Sequence, residues 1–259
     1  IGCQREKVGC ILKYQLLNLD DVMRNNRQHF FWSSIILAFV FAGAGCVKSN
    51  SSVNISAVCY VSVMNEAPYS STADVYFNGT LVSSGGIAPG QYSHAYGSVK
   101  PGTYTVDFKV TGTDSLLYEI PAAMYDSSTF YTLILYNTAP KSPAVAAARI
   151  VDDYSSVTQT TSDYYRFFNL SPDAPAVDLY LNSTVAQAGR SPMDNLISLS
   201  YNAFQPISPG TFSINVKKAN TDTVLASLNP EELIPSTVYT IFLSGTDTSL
   251  AVNVLTETY

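Results

Sequence analysis

Apolar and polar residues alternate along much of this chain. Residues 103–110 (Thr-Tyr-Thr-Val-Asp-Phe-Lys-Val) change character at almost every step, and residues 211–216 (Thr-Phe-Ser-Ile-Asn-Val) do the same. A period of two, carried by β-branched and aromatic side chains, predicts half-buried strands. Residues 131–136 and 239–243 are the most apolar runs and are expected to be central strands. Asn78-Gly79 between two apolar runs predicts a tight hairpin, because both residues of such a turn need positive φ. Pro101-Gly102 and Pro209-Gly210 predict turns that lead into strands. Beyond residue 45, no window of helical length carries a clean 3.6-residue stripe. Seven or eight short strands at a spacing of about ten residues, twice over, is the pattern of β-sandwich domains.

The pattern occurs twice because the chain repeats itself. Asn65, Pro68, Asp74, Tyr76 and Asn78 recur as Asn169, Pro172, Asp178, Tyr180 and Asn182 at one constant offset. Further on, Pro101-Gly-Thr-Tyr104 recurs as Pro209-Gly-Thr-Phe212, Asp114 as Asp222, and Tyr131-Thr132 as Tyr239-Thr240. The second offset exceeds the first by four residues, so one short insertion in the middle reconciles them. The expected organisation is a first domain over residues 55–152, a polar linker over 153–163, and a second domain over 164–259. The linker lacks Gly and Pro and is expected to be extended and modestly flexible. Tyr131 and Tyr239 each stand at the start of a central strand just after a turn, where a tyrosine folds back onto the upstream backbone as a tyrosine corner.

The N-terminal region breaks the alternation. Met23, Arg24 and Arg27 precede an apolar stretch, residues 30–45, that ends in Gly-Ala-Gly before Cys46. A basic head, a short apolar centre and a small-residue exit make up a secretory signal peptide. The stretch is shorter than the roughly 20 residues a membrane-spanning helix needs. Small residues directly before a cysteine resemble a bacterial lipoprotein signal, in which Cys46 is lipidated and becomes the first mature residue. Residues 1–22 then read as an upstream extension, 23–45 as the signal and 46–54 as a tether.

Removing residues 1–45 leaves 9 Lys+Arg against 17 Asp+Glu, a formal charge of −8. That acidity argues against nucleic acid, whose partners show a basic stripe. It also argues against electrostatic docking on anionic lipid, so a covalent lipid on Cys46 is the expected link to the membrane. Only Cys46, Cys59 and one histidine, His94, remain. Zinc sites need several Cys or His ligands, so no metal or other cofactor is expected. Cys59 in an apolar strand is expected to be a buried, inert thiol. His94 has no Gly-x-Ser-x-Gly elbow for company, and is expected to be an ordinary exposed side chain. No catalytic residue is assigned.

The second copy carries Asn169-Leu-Ser-Pro-Asp-Ala-Pro-Ala-Val-Asp-Leu-Tyr-Leu-Asn182, followed by Pro209-Gly-Thr-Phe212. This resembles a bacterial domain-of-unknown-function family of secreted and surface proteins, with Asn-x-Ser-Pro-Asp-Ala-Pro-x-Val-Asp-(Val/Leu)-Tyr-x-Asn-Gly and a later Pro-(Ala/Ser)-Gly-Thr-Tyr. The first copy departs from it at residues 66–71, and Ser183 replaces the hairpin glycine. The resemblance implies two tandem immunoglobulin-like, Greek-key β-sandwich domains, an all-β architecture found in envelope lipoproteins of Bacteroidetes-type bacteria. It implies no activity and no catalytic residue.

The candidate ligand-binding residues are therefore Tyr76, Tyr180, Tyr92, Tyr96 and Tyr201, with Asp74 and Asp178 beside the first two. Aromatic faces stack on sugar rings, and sandwich loops carry recognition. Asp173, between Pro172 and Ala174, reads as a turn former. The expected function is that of a non-catalytic, lipid-anchored envelope protein in the outer membrane, periplasmic or surface-exposed, acting as a binding, adhesion or spacer module with a glycan or protein partner. A second reading is a carbohydrate-binding accessory protein using exposed tyrosines. A third is a hydrolase with an unrecognised carboxylate pair.

Overall fold

The computed structural model describes residues 57–159 and 161–257. The signal segment, Cys46 and the tether lie outside the described residues. Among the described residues no helix is long and apolar enough to cross a membrane.

The first domain holds β1 (Cys59–Glu66), β2 (Ala73–Phe77), β3 (Thr80–Leu81), β4 (Gln91–Tyr92), β5 (Gly97–Val99), β6 (Gly102–Val110), β7 (Leu116–Tyr125), β8 (Phe130–Asn137) and β9 (Val145–Asp152). One sheet runs β4-β1-β8-β9, with β5 also on β1; the other runs β3-β2-β6-β7. The second domain holds β10 (Asp163–Asn169), β11 (Val177–Leu181), β12 (Thr184–Arg190), a one-turn helix α1 (Asp194–Ile197), a 3₁₀ turn (Leu199–Asn202), β13 (Gln205–Ile207), β14 (Gly210–Lys218), β15 (Val224–Leu233), β16 (Val238–Thr246) and β17 (Ser249–Glu257). Its sheets run β13-β10-β16-β17 and β12-β11-β14-β15. Each domain is thus an all-β sandwich, and β1 and β10 pair in parallel with β8 and β16.

The alternation seen in sequence closes each sandwich. In β6, Val106 and Phe108 point inward; Ile214 and Val216 do so in β14. They meet Val75 and Leu133 in the first core, and Leu179 and Ile241 in the second. Asn78 and Gly79 both take positive φ, 46° and 78°, in the two-residue turn between β2 and β3. At the matching turn Asn182 alone does (φ 57°), consistent with serine in place of glycine at 183.

A third core joins the two domains. Met64, Ile134 and Ile150 of the first domain cluster with Phe168, Phe242 and Leu255 of the second. The ladders make these counterparts: Met64 pairs with Ile134 as Phe168 pairs with Phe242, and Thr132 pairs with Ile150 as Thr240 pairs with Leu255. The same patch of each copy therefore faces the other, as in a two-fold dimer. Fully burying an aliphatic or aromatic side chain contributes about 1.5–3 kcal/mol, so these six, with Leu170 beside them, make a substantial seam.

The linker is held at several points. Tyr154 stacks on Phe204 with ring centroids 5.1 Å apart, and meets Phe130 edge-on at 5.2 Å. The backbone N–H groups of Thr158 and Gln159 donate to the Tyr164 hydroxyl. An expectation of modest flexibility from composition alone did not anticipate these anchors.

Candidate functional site

The residues that repeat between copies hold the fold together. Asn65 donates from Nδ2 to the carbonyls of Ser71 and Ile87; Asn169 donates to those of Pro175 and Arg190. Asp74 accepts from the Thr111 hydroxyl and the Gly112 N–H, at 3.2 and 3.1 Å. Asp178 accepts from the Gly189 and Asn220 N–H groups, at 2.7 and 3.1 Å. Both aspartates are buried and clamp turns. Asn78 and Asn182 accept backbone N–H bonds from Thr105 and Ser213. The Tyr131 hydroxyl accepts the Asp126 N–H and that of Tyr239 the Ile234 N–H, each five residues upstream. Cys59 is buried and donates its thiol to the Val99 carbonyl; burial raises its pKa.

The seven proposed binding residues do not converge on one site. Tyr76 and Tyr180 lie on separate domains, each with a lysine ammonium over its ring, Lys109 at 4.9 Å and Lys217 at 4.2 Å. Tyr201 has the Arg190 guanidinium 3.9 Å from its centroid. Tyr92 packs edge-on against Phe242, inside the seam between the domains. Tyr96 turns inward rather than outward: its hydroxyl donates to Asp152 at 2.9 Å and lies 2.8 Å from that of Tyr154. Burial, with Asp152 and Glu257 nearby, raises its pKa strongly.

At the seam lies a polar cluster that periodicity did not reveal. Arg166, 1% exposed, donates from Nη1 to Asp152 at 2.5 Å, from Nη2 to Glu257 at 3.2 Å and from Nε to the Thr240 hydroxyl at 2.7 Å. Its guanidinium lies over the rings of Phe168 and Phe204, 4.8 and 4.5 Å from their centroids. Thr132 donates to Asp152 as Thr240 donates to Glu257. Asp152 and Glu257 are ladder counterparts, opposite Phe130 and Val238. The counterpart of Arg166 is Ser62, so one cation serves a carboxylate from each copy. Burial raises the Glu257 pKa, opposed by Arg166, and the two carboxylates raise that of Arg166 against its own desolvation. Arg166 has a signal in the sequence, as the one charge inside Tyr164-Tyr-Arg-Phe-Phe168, but strand periodicity does not say what lies across from it.

Beside this cluster is a cleft of about 900 Å³ between the domains. One wall is residues 148–153 along β9, with the start of β8; the other is α1 and the 3₁₀ turn of the second domain. Asn195 is fully buried with neither side-chain polar atom hydrogen-bonded, and Asn202 Oδ1 is likewise without a partner. Leu199, 81% exposed, forms a lip. The cleft offers amides and apolar surface; among the described residues no cluster of His, Cys, Asp and Glu could hold a metal.

Comparison with curated proteins finds no match. A family model matches twice, over residues 59–180 and 164–259, in agreement with two tandem copies of one unit. The chain belongs to the family described as Domain of unknown function (DUF4397).

Proposed function

We propose that this protein is a non-catalytic envelope lipoprotein that works as a rigid binding or spacer module, anchored through a lipid on Cys46. The observation that carries this reading is the shared interior of the two domains. Seven buried apolar side chains, Leu170 among them, and a buried Arg166–Asp152–Glu257 cluster join them, leaving a stiff body with a cleft at its seam. A spacer or surface receptor needs that rigidity. The repeated aspartates support the same reading, since their oxygens hold turns rather than face a common cleft. The carbohydrate reading gains less support, because Tyr76, Tyr180 and Tyr201 each have a cation against one ring face.

The anchor is tested by metabolic labelling of cells with an alkyne-bearing fatty acid. Wild-type chain should label and Cys46→Ala should not; equal labelling of both would overturn the anchor. A glycan array probed with the protein tests the carbohydrate reading, for which saturable binding lost in Tyr201→Ala would be required.

A further inference from the structure

We infer that the cleft beside β9 is a docking site for an extended polypeptide segment, recognised through its main chain. The inference rests on the reading of this protein as a binding module and names the class of its ligand.

Three features of the cleft point there. β9 is the terminal strand of its sheet, so its outer edge has no strand partner. Six consecutive residues, 148–153, line the cleft. Successive side chains on a strand point to opposite faces, so a continuous run means that the strand's edge, and not one face, borders the space. That edge lacks the usual guards of proline, lysine or a bulge: β9 reads Val-Ala-Ala-Ala-Arg-Ile-Val-Asp and pairs with β8 without a register shift. Its one cation, Arg149, is drawn aside, with Nη2 on the Met124 carbonyl and its guanidinium over Tyr125 and Tyr131. The neighbouring edge strand β7, by contrast, carries Pro121 and two register shifts.

Across the cleft, both polar atoms of the Asn195 side chain and Oδ1 of Asn202 have unmet hydrogen-bonding capacity. An unpartnered buried polar group costs about 1–3 kcal/mol, so these amides are out of place unless something meets them. An added strand has that chemistry, with N–H and C=O groups on both of its edges. Its side chains would cover Leu199. A sugar would want a free aromatic face, and the aromatic rings here, Phe130 and Tyr154, already stack on Tyr60 and Phe204.

The counterpart of this cleft across the pseudo-two-fold shows that the opening is not imposed by domain packing. There, residues 255–257 of β17 meet residues 93–96, leaving a gap too tight for a water molecule. His94 and Ala95 are the counterparts of Asn202 and Ala203. One side of the seam is closed; on the other the chain turns into α1 and the 3₁₀ turn and stands away from β9.

Recognition through the main chain makes a plain strand-forming peptide an adequate probe. The full chain in detergent micelles is titrated with acetyl-Thr-Val-Thr-Val-Thr-Val-amide, following backbone amide exchange. Exchange should slow at least tenfold at saturation for those amides of residues 148–152 that point away from β8. The peptide N-methylated at alternate residues should give no slowing. Asn195→Leu should weaken binding about tenfold without lowering the melting temperature, whereas a purely structural asparagine would lower it. Unchanged exchange along β9 at millimolar peptide, or equal effects of the N-methylated peptide, would overturn the inference. Oligosaccharides that protect residues 195–203 in its place would also overturn it, yet leave the binding-module reading standing; that reading would fail if neither peptide nor oligosaccharide altered exchange anywhere along the seam.

Discussion

Tyr69 and Asp173 stand 104 residues apart, the offset of the repeat, and the hydroxyl of the first donates to the carboxylate of the second. They are the same position in the two copies, so the pseudo-two-fold passes close to this bond. Asp173 also accepts the backbone N–H groups of Lys141 and Asp247, and Lys141 pairs with Asp247 at 2.9 Å. The aspartate of the Ser-Pro-Asp-Ala-Pro stretch thus fastens one domain to the other, beyond the turn-forming role its neighbours suggested. The bond pushes the Tyr69 pKa up to about 12. Burial of Asp173 works against its ionisation, but the Tyr69 hydroxyl and the two N–H groups outweigh it and lower its pKa.

This clasp should behave as a unit. Asp173→Ala and Tyr69→Phe should each loosen the domain contact, and the double variant should be no worse than Asp173→Ala alone, since partners in one network are not additive. Urea denaturation of the four proteins measures this. The lowered pKa makes the carboxylate's contribution complete above the unfolded value near 3.8 and lost as the pH falls further.

Arg166 neutralises two buried carboxylates. Arg166→Met should cost on the order of 3–5 kcal/mol, the usual result of leaving buried charge without its partner. The triple variant Arg166→Met, Asp152→Leu, Glu257→Met should recover most of that loss. Thermal unfolding checks both, and a full loss that persists in the triple variant would mean that packing, not charge, dominates at the seam.

Glu66 is buried at the same seam, and its Oε1 has no hydrogen-bond partner. Desolvation pushes its pKa up to about 8. Its folded value lies above the unfolded one, so this carboxyl reduces stability as pH rises from about 4.5 to about 8 and leaves the loss in place above that. At about 1.4 kcal/mol per pH unit the loss is on the order of 4–5 kcal/mol. Glu66→Gln should flatten the stability profile over that range and raise stability at pH 8. Chemical denaturation at pH 5 and pH 8 gives the comparison.

Asp178 clamps two turns through its carboxylate. Asp178→Ala orphans the Gly189 and Asn220 N–H groups and should destabilise the second domain by about 1–3 kcal/mol. Peptide binding at the cleft should be unaffected once the protein is folded. Asp74→Ala should do the same in the first domain through Gly112 and Thr111.

The sandwich layers were legible because half-buried strands alternate, and the Asn78-Gly79 turn because positive φ restricts residue choice. The seam was harder to read. Tyr164-Tyr-Arg-Phe-Phe168 and the run at residues 131–136 are apolar on both faces, a sign that their sheets are covered on both sides. That sign does not identify the covering surface; only the ladders show that each copy covers the other. Asn195 gave no signal, since its importance lies in what it fails to touch. Tyr96 reads in sequence as a residue open to ligand, and the inward turn of its hydroxyl follows from Asp152 and Tyr154, which come together only in three dimensions.

Two free sandwiches with matching patches would have to meet by diffusion, and their contact would weaken with every dilution. Here the linker keeps the second patch beside the first at an effective concentration in the millimolar range. Association becomes independent of how much protein the cell makes. A contact relieved of that demand can tolerate groups that weaken it, and Glu66 is one. The tether between the copies therefore explains why a carboxyl with an unbonded oxygen persists at a seam that a dissociable dimer would have to rebuild.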